Sequence, residues 1–182
     1  MSSDRETLQA ELAAEGIELG TPVGGRRLIE AAAHELWHAI TQPGHLVQCH
    51  PFCQDNEVQQ WPGVGASDTI TYYSGVHYQR DFVGWLENVG YDIEVGPPPR
   101  KTARVVWRIT PLDDTHSELR IEVTPYLKSA WTASRKQAYQ QRYFGHVIAH
   151  YLDSVVRGVD YFVTTGQSVQ KDQFGSHPLY SG

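Results

Sequence analysis

The sequence predicts an α+β fold in which an antiparallel sheet covers one long helix near the C-terminus. Two observations support this prediction. Hydrophobic residues recur at every second position through the middle of the chain, a pattern typical of strands with one buried face. After Pro125 the period becomes 3.6 and holds for about thirty residues, which predicts a long amphipathic helix. Because that helix has a wide apolar face, the sheet is the element that must cover it.

Composition and charge narrow the class of protein. The chain has 182 residues, 40% of them hydrophobic, which suits one folded domain rather than a disordered chain. Its 21 acidic and 15 basic residues give a formal net charge of −6, so we expect no nucleic-acid partner. No apolar run approaches the ~20 residues of a membrane span, and the first residues lack a secretory signal. With only two cysteines, the chain is predicted to be cytoplasmic. It is predicted to be a monomer or a homodimer, without a membrane span.

The chain is predicted to divide into three parts. Residues 1–25 are predicted to form an N-terminal appendage, because a short amphipathic stretch is followed there by several glycines. Residues 26–166 are predicted to form the folded domain, and residues 167–182 an irregular tail. The elements predicted before the sheet are a strand over 27–31, a helix over 32–41 and a helical turn over 45–49.

Four segments alternate between hydrophobic and polar residues strongly enough to predict strands. They are residues 76–82, 91–95, 105–109 and 119–123, with weaker candidates at 57–61 and 69–73. The connections between the strong candidates are short and contain Gly, Asn and Asp. Neighbouring strands are therefore predicted to pair antiparallel, as a meander.

The long helix has an apolar stripe and a polar face, and Gly166 is predicted to end it. The stripe consists of Phe144, Ile148, Leu152, Val155, Val159 and Phe162, with Tyr139, Tyr143, Val147 and Tyr151 beside it. The opposite face carries Arg142, His146, His150, Asp153, Arg157 and Asp160. The spacing of His146, His150 and Asp153 places them on one side of the helix, as a role in acid–base catalysis would require. A solvent-facing polar surface is the better interpretation, because charged residues share that face.

Two segments and the order of elements point to a known family. Residues 35–46 (ELWHAITQPGHL) are similar to the first helix of the SRPBCC or START-like helix-grip superfamily. Residues 61–68 (WPGVGASD) resemble the segment that precedes the third strand in the same superfamily. That group includes START domains, birch-pollen-allergen-like proteins, polyketide cyclases and Hsp90-activator-like proteins. The resemblance implies a curved sheet wrapped around the C-terminal helix, with an apolar cavity that binds a small ligand. It transfers no catalytic residues.

Strand parity places an arginine on the predicted inner face of the sheet. Tyr78, Arg80 and Phe82 share one parity and are predicted to point at the long helix. A buried guanidinium needs a partner. Arg80 could therefore anchor a carboxylate, enolate or phosphate of a ligand. The alternatives are an ion pair with Asp68, Glu57 or Glu30, or a side chain that extends past the sheet edge.

Aromatic residues on the inner faces complete the predicted cavity. Such pockets are mostly apolar and carry a few polar groups, which tyrosine hydroxyls can supply, although large aromatic residues also fill ordinary cores. The predicted lining is Tyr78, Arg80, Phe82, Tyr91, Trp107, Tyr139 and Tyr143. The predicted occupant is a small apolar or aromatic molecule, and no cofactor is expected.

Residues 34–38 match the H-E-x-x-H pattern of zinc proteases. In that pattern two histidines one helical turn apart bind the metal, and the glutamate activates its water. Here Pro43 leaves little helix beyond His38, and His34 and His38 lie on the face opposite Leu36. Solvated helix residues are therefore the preferred interpretation, and a metal hydrolase is the least favoured hypothesis.

Cys49, His50 and Cys53 form a second cluster with the chemistry of metal ligands, with His45 and Asp55 nearby. Structural zinc sites need a second pair of ligands, which is missing here. A cysteine–histidine nucleophile is also possible, but such partners usually come from distant segments. Two partly buried thiols without metal are the favoured interpretation.

Three functions remain open at this point. The first is a module that binds a small ligand in the cavity. The second is an enzyme that uses the same cavity for cyclisation, dehydration or hydrolysis. The third is an Hsp90-activator-like interaction domain, which needs an exposed apolar patch. Acidic residues on the predicted strands fall on the outer parity, which favours binding over acid–base catalysis. They are Asp92, Glu94, Glu118 and Glu122.

Overall fold

The computed structural model describes residues 2–182, with side chains described from residue 6 onward. Before the meander lie the helix α1 (Ser2–Ala14), the strands β1 (Ile17–Leu19) and β2 (Val23–Ile29), and the helices α2 (Ala33–Ile40) and α3 (Leu46–Cys49). The meander consists of β3 (Cys53–Gln60), β4 (Ser67–Tyr72), β5 (His77–Leu86), β6 (Gly90–Gly96), β7 (Ala103–Pro111) and β8 (Ser117–Lys128). A long helix follows as α4 (Ala133–Ala138), a π-helical segment (Tyr139–Ile148) and α5 (Ala149–Thr165).

The described strands form one curved antiparallel sheet. Strands β3 to β8 pair in chain order, so the predicted meander is confirmed. Both β1 and β2 pair with the outer edge of β8, at opposite ends of that strand. The sheet wraps around the C-terminal helix, which confirms the predicted α+β arrangement.

The sheet begins earlier in the chain than the sequence suggested. The predicted appendage spans residues 1–25, and Met1 lies outside the described residues. Strand pairing nevertheless starts within this segment, at Ile17. Strand β2 contains Gly25, and a Cβ added there would lie 3.0 Å from the carbonyl oxygen of Leu152 in α5. This glycine therefore allows the helix to approach the strand closely, where the sequence pattern indicated a turn.

Alternate residues of the strands face the core, as their parity predicted. Along β7, Val105, Trp107 and Ile109 are buried, while Arg104 and Arg108 lie on the outer face and pair with Asp92 of β6. Cross-strand ion pairs of this kind occupy the solvated side of the sheet. The inner side of β7 is thus left to apolar and aromatic residues.

The C-terminal helix is continuous from Ala133 to Thr165 and is capped at both ends. The hydroxyl of Thr132 accepts a hydrogen bond from the Arg135 amide at 3.3 Å, and Gly166 ends the helix with φ of 68°. The sequence predicted α-helix throughout, whereas residues 139–148 are π-helical. Hydrogen bonds from i to i+5 bring residues four and five positions apart onto one face.

No helix among residues 2–182 is long and apolar enough to cross a lipid bilayer. The short helix α2 instead packs Leu36, Trp37 and Ile40 into the core.

Candidate ligand-binding site

A partly open cavity lies between the inner face of the sheet and the C-terminal helix. Its volume is about 190 Å³. Six tyrosines line it together with apolar residues from β4 to β8. The aromatic and polar part of the lining is Tyr72, Tyr78, Trp107, Tyr139, Tyr143, Phe144, Tyr151, Tyr180, His50, Arg80 and Thr102. None of the described residues around the cavity is Asp or Glu. The wall is therefore apolar with several hydroxyl groups, which is the usual composition of a small-molecule pocket.

The π-helical segment forms one wall of the cavity. Tyr139, Tyr143, Phe144 and Ile148 all reach it, because the wider turn places residues at i, i+4, i+5 and i+9 on one side. The rings of Tyr139 and Tyr143 stack with centroids 5.2 Å apart. Burial raises the pKa of Tyr139 to about 12 and also raises the pKa of Tyr143. Both hydroxyls are therefore protonated at neutral pH.

A buried histidine and two tyrosines form a chain of hydrogen bonds at the cavity wall. His50 Nε2 lies 2.8 Å from the hydroxyl of Tyr151, which lies 3.0 Å from the hydroxyl of Tyr72. Burial, aided by the charge of Arg80, lowers the pKa of His50 to about 3. The imidazole is therefore neutral at physiological pH. Burial also raises the pKa values of Tyr72 and Tyr151 well above the ordinary value.

The tail after the helix contributes one wall of the cavity. Tyr180 is buried and stacks on Tyr72 with ring centroids 4.3 Å apart. His177 stacks on Tyr180 and its Nε2 donates a hydrogen bond to the Val147 carbonyl at 3.0 Å. The backbone carbonyl of Tyr180 accepts a further hydrogen bond from the Ser74 amide at 3.2 Å. The sequence suggested only an irregular tail, and the tail is irregular, but it is also packed into the cavity wall.

Arg80 reaches the cavity but has a protein partner. Its Nε donates to Asp68 Oδ1 at 2.6 Å, and its Nη2 donates to Asp68 Oδ2. Burial opposes the charge of the guanidinium, but the Asp68 carboxylate outweighs this effect and raises the pKa of Arg80. Of the three acidic partners considered from the sequence, Asp68 is the one that the structure places at Arg80.

Five of the seven predicted lining residues lie together around the cavity, namely Tyr78, Arg80, Trp107, Tyr139 and Tyr143. The other two, Phe82 and Tyr91, are buried but lie outside the cavity wall. Their rings are 5.1 Å apart and pack against Trp61 and Trp85 in an aromatic cluster. Parity identified the inner face of each strand correctly, but position along the strand determines which inner residues reach the cavity.

The sequence analysis missed Tyr72, His50 and Tyr180. Tyr72 lies within the weak strand candidate 69–73, and its inward parity with Ile70 is the signal that could have identified it. His50 was assigned to a possible metal cluster, and Tyr180 to the tail. Nothing local in the sequence indicates that these two side chains meet the cavity.

The pattern at residues 34–38 lies on the surface. His34, Glu35 and His38 are exposed, and Glu35 accepts a hydrogen bond from the Ala32 amide at 2.9 Å, as a capping residue does. Among the side chains that the structure describes, those of residues 6–182, no group of three or more His, Cys, Asp or Glu is arranged to hold a metal ion.

The cysteines and the helix histidines occupy ordinary structural positions. Cys49 and Cys53 are buried free thiols, and burial raises the pKa of each to about 12, which disfavours the reactive thiolate. His146, His150 and Asp153 are exposed on the outer side of the long helix, as their stripe predicted.

Comparisons with known proteins identify the fold. No family model matches the sequence, and no curated protein matches it. Solved structures do match. A protein of unknown function from Staphylococcus aureus has a TM-score of 0.65 at 10% identity, covering 82% of this chain and 97% of that one. Norcoclaurine synthase from Thalictrum flavum, in complex with a transition-state analogue, has a TM-score of 0.62 at 10% identity, covering 82% and 98%.

A third structure, Ara h 8.0201, has a TM-score of 0.54 at 15% identity, covering 82% of this chain and 99% of that one. At these identities the likeness concerns the fold alone. The chain therefore has the helix-grip fold that its element order predicted.

Proposed function

We propose that the protein binds a small, uncharged aromatic or apolar metabolite in the cavity between the sheet and the C-terminal helix. The observation that carries this proposal is the partly open cavity of about 190 Å³, lined by aromatic and aliphatic side chains. An engineered apolar cavity of about 150 Å³ accepts benzene, whereas drug-sized ligands use pockets of about 300 Å³ or more. The volume therefore suits a compound with one substituted ring.

Charge also supports an uncharged ligand. The one cationic side chain among the described lining residues, Arg80, is neutralised by Asp68. A carboxylate or phosphate ligand would have to compete with Asp68 for the guanidinium in a buried site, which costs free energy. The anchoring role considered for Arg80 is accordingly less supported than the internal ion pair.

Ethylbenzene is a suitable probe for this function, and calorimetry can measure its binding. Val95 faces the cavity from β6, and Val106 lies on the outer face of the neighbouring strand β7. Both valines are partly buried, so they form a matched pair. We expect Val95→Trp to fill the cavity and abolish binding, and Val106→Trp to leave the affinity unchanged. The proposal fails if the unaltered protein does not bind ethylbenzene, or if Val95→Trp binds it equally well.

The second candidate is an enzyme of cyclase or dehydratase type that uses the same cavity. Norcoclaurine synthase, one of the structural neighbours, is an enzyme with this fold. The chain of His50, Tyr151 and Tyr72 offers a proton donor at the cavity wall. Binding is preferred because the described lining has no carboxylate to act as a base, and His50 is a weak base with a pKa of about 3. An interaction domain has less support, because the aromatic surface faces inward.

A further inference from the structure

The direction of the hydrogen bonds around His50 follows from its backbone contact. The Phe52 amide donates to His50 Nδ1 at 3.2 Å, so Nδ1 carries no proton. In the neutral ring the proton is then on Nε2, and Nε2 donates to the hydroxyl oxygen of Tyr151. His50 is therefore the donor at the start of the chain.

Counting hydroxyl protons shows that one is left over. Tyr151 and Tyr72 carry one hydroxyl proton each, and the contact between them uses one of the two. The contact with His50 uses neither, because the imidazole supplies that proton. Within residues 2–182 the structure shows no further acceptor for the second proton. Since each donor in such a chain polarises the next, the favoured direction runs from His50 through Tyr151 to Tyr72.

The remaining proton lies where a ligand can reach it. Tyr72 and Tyr151 both line the cavity, and Tyr72 is only 4% exposed to solvent. A buried hydroxyl without an acceptor costs free energy, which an oxygen atom of a bound molecule would recover.

We propose that the hydroxyl of Tyr72 donates a hydrogen bond to a carbonyl or ether oxygen of the ligand, so that the cavity selects oxygenated aromatic compounds over hydrocarbons of the same shape. This inference rests on the proposed binding function and adds the chemical class of the ligand. A neutral acceptor is preferred to an anion, because Arg80 is already paired with Asp68.

Acetophenone and ethylbenzene provide the test, since they have nearly the same shape and acetophenone adds a carbonyl oxygen. We expect the unaltered protein to bind acetophenone about three- to ten-fold more tightly than ethylbenzene, the range for one net hydrogen bond. Tyr72→Phe combined with Tyr151→Phe removes both hydroxyls and should abolish this preference, so that the double variant binds the two compounds with equal affinity. Tyr161→Phe, on the outer part of the helix and away from the cavity, is the matched control and should leave both affinities unchanged.

The carbonyl stretching band of bound acetophenone gives a second readout that does not depend on affinity. We expect the band at lower frequency in the unaltered protein than in Tyr72→Phe, because a carbonyl that accepts a hydrogen bond is weakened. The inference is overturned if the preference survives in the double variant, or if Tyr143→Phe alone removes it. It is also overturned if both compounds bind equally well, an outcome that leaves the binding function intact. Failure of both compounds to bind contradicts the binding function itself.

Discussion

Asp68 and Arg80 lie directly opposite each other on β4 and β5 and form a bidentate ion pair in the protein interior. Their side chains are 0% and 5% exposed. The cationic side chain at the cavity wall, Arg80, is therefore already neutralised by the carboxylate of Asp68. As a result the cavity has aromatic and hydroxyl character rather than the character of an anion site.

The first prediction concerns this ion pair. Arg80→Met alone should lower the free energy of unfolding by about 3–5 kcal/mol, because it leaves the Asp68 carboxylate buried without a partner. Arg80→Met combined with Asp68→Leu should cost much less than Arg80→Met alone. Urea denaturation of the two variants and the parent measures the difference. A single variant as stable as the parent would contradict the pairing, and Arg108→Met, at a half-exposed pair, is the control.

The second prediction concerns the residue from the tail. Tyr180→Ala should enlarge the cavity and lower the free energy of unfolding by about 3 kcal/mol, a usual cost for truncating a buried aromatic residue. The variant should also bind naphthalene more tightly than the parent does, since a second ring can occupy the space. Calorimetry and urea denaturation provide the two measurements. Leu179→Ala is the matched control because Leu179 is 39% exposed, and equal naphthalene binding in parent and Tyr180→Ala would refute the prediction.

The third prediction concerns pH. Burial lowers the pKa of His45 and of His50 from the ordinary value near 6.5 to about 3. Between these values the unfolded chain binds more protons than the folded protein, so stability must fall as the pH is lowered. The stabilisation is complete above pH 6.5 and is lost progressively toward pH 3. Each histidine contributes about 1.4 kcal/mol per pH unit in this window.

Urea denaturation at pH 7.5, 6.5 and 5.5 measures this slope. Between pH 6.5 and 5.5, His45→Gln should lose about 1 kcal/mol less stability than the parent does, because one of the two titrations is removed. His34→Gln, at an exposed position, should retain the slope of the parent. A slope unaffected by His45→Gln would show that this histidine is not buried in neutral form.

The fourth prediction compares two glycines of the long helix. Gly158 lies against the end of α3, where an added Cβ would be 2.2 Å from the Cys49 carbonyl oxygen. Gly158→Ala should therefore force the helix and α3 apart and lower the unfolding temperature by several degrees. At Gly145 the nearest atom to an added Cβ is the Gln140 carbonyl oxygen, at 3.6 Å. Gly145→Ala should be neutral or stabilising by up to about 1 kcal/mol, because alanine favours helix more than glycine does. Thermal unfolding compares the two, and equal effects would contradict the close approach.

Local sequence patterns were enough to predict the strand faces and the apolar stripe of the helix. Residues such as Val105, Trp107 and Leu152 follow periods of 2 and 3.6, which depend only on local backbone geometry. These patterns also placed Tyr78, Tyr139 and Tyr143 on surfaces that face each other, since the sheet and the helix must bury their apolar sides together.

Which of these residues contact each other depends on how the whole chain folds. The pairing of Arg80 with Asp68 joins two neighbouring strands in a particular register. The chain from His50 through Tyr151 to Tyr72 and the stacking of Tyr180 on Tyr72 join segments far apart in the sequence. Such contacts depend on strand register and on the path of the tail, and neither leaves a periodic signal in the residues involved.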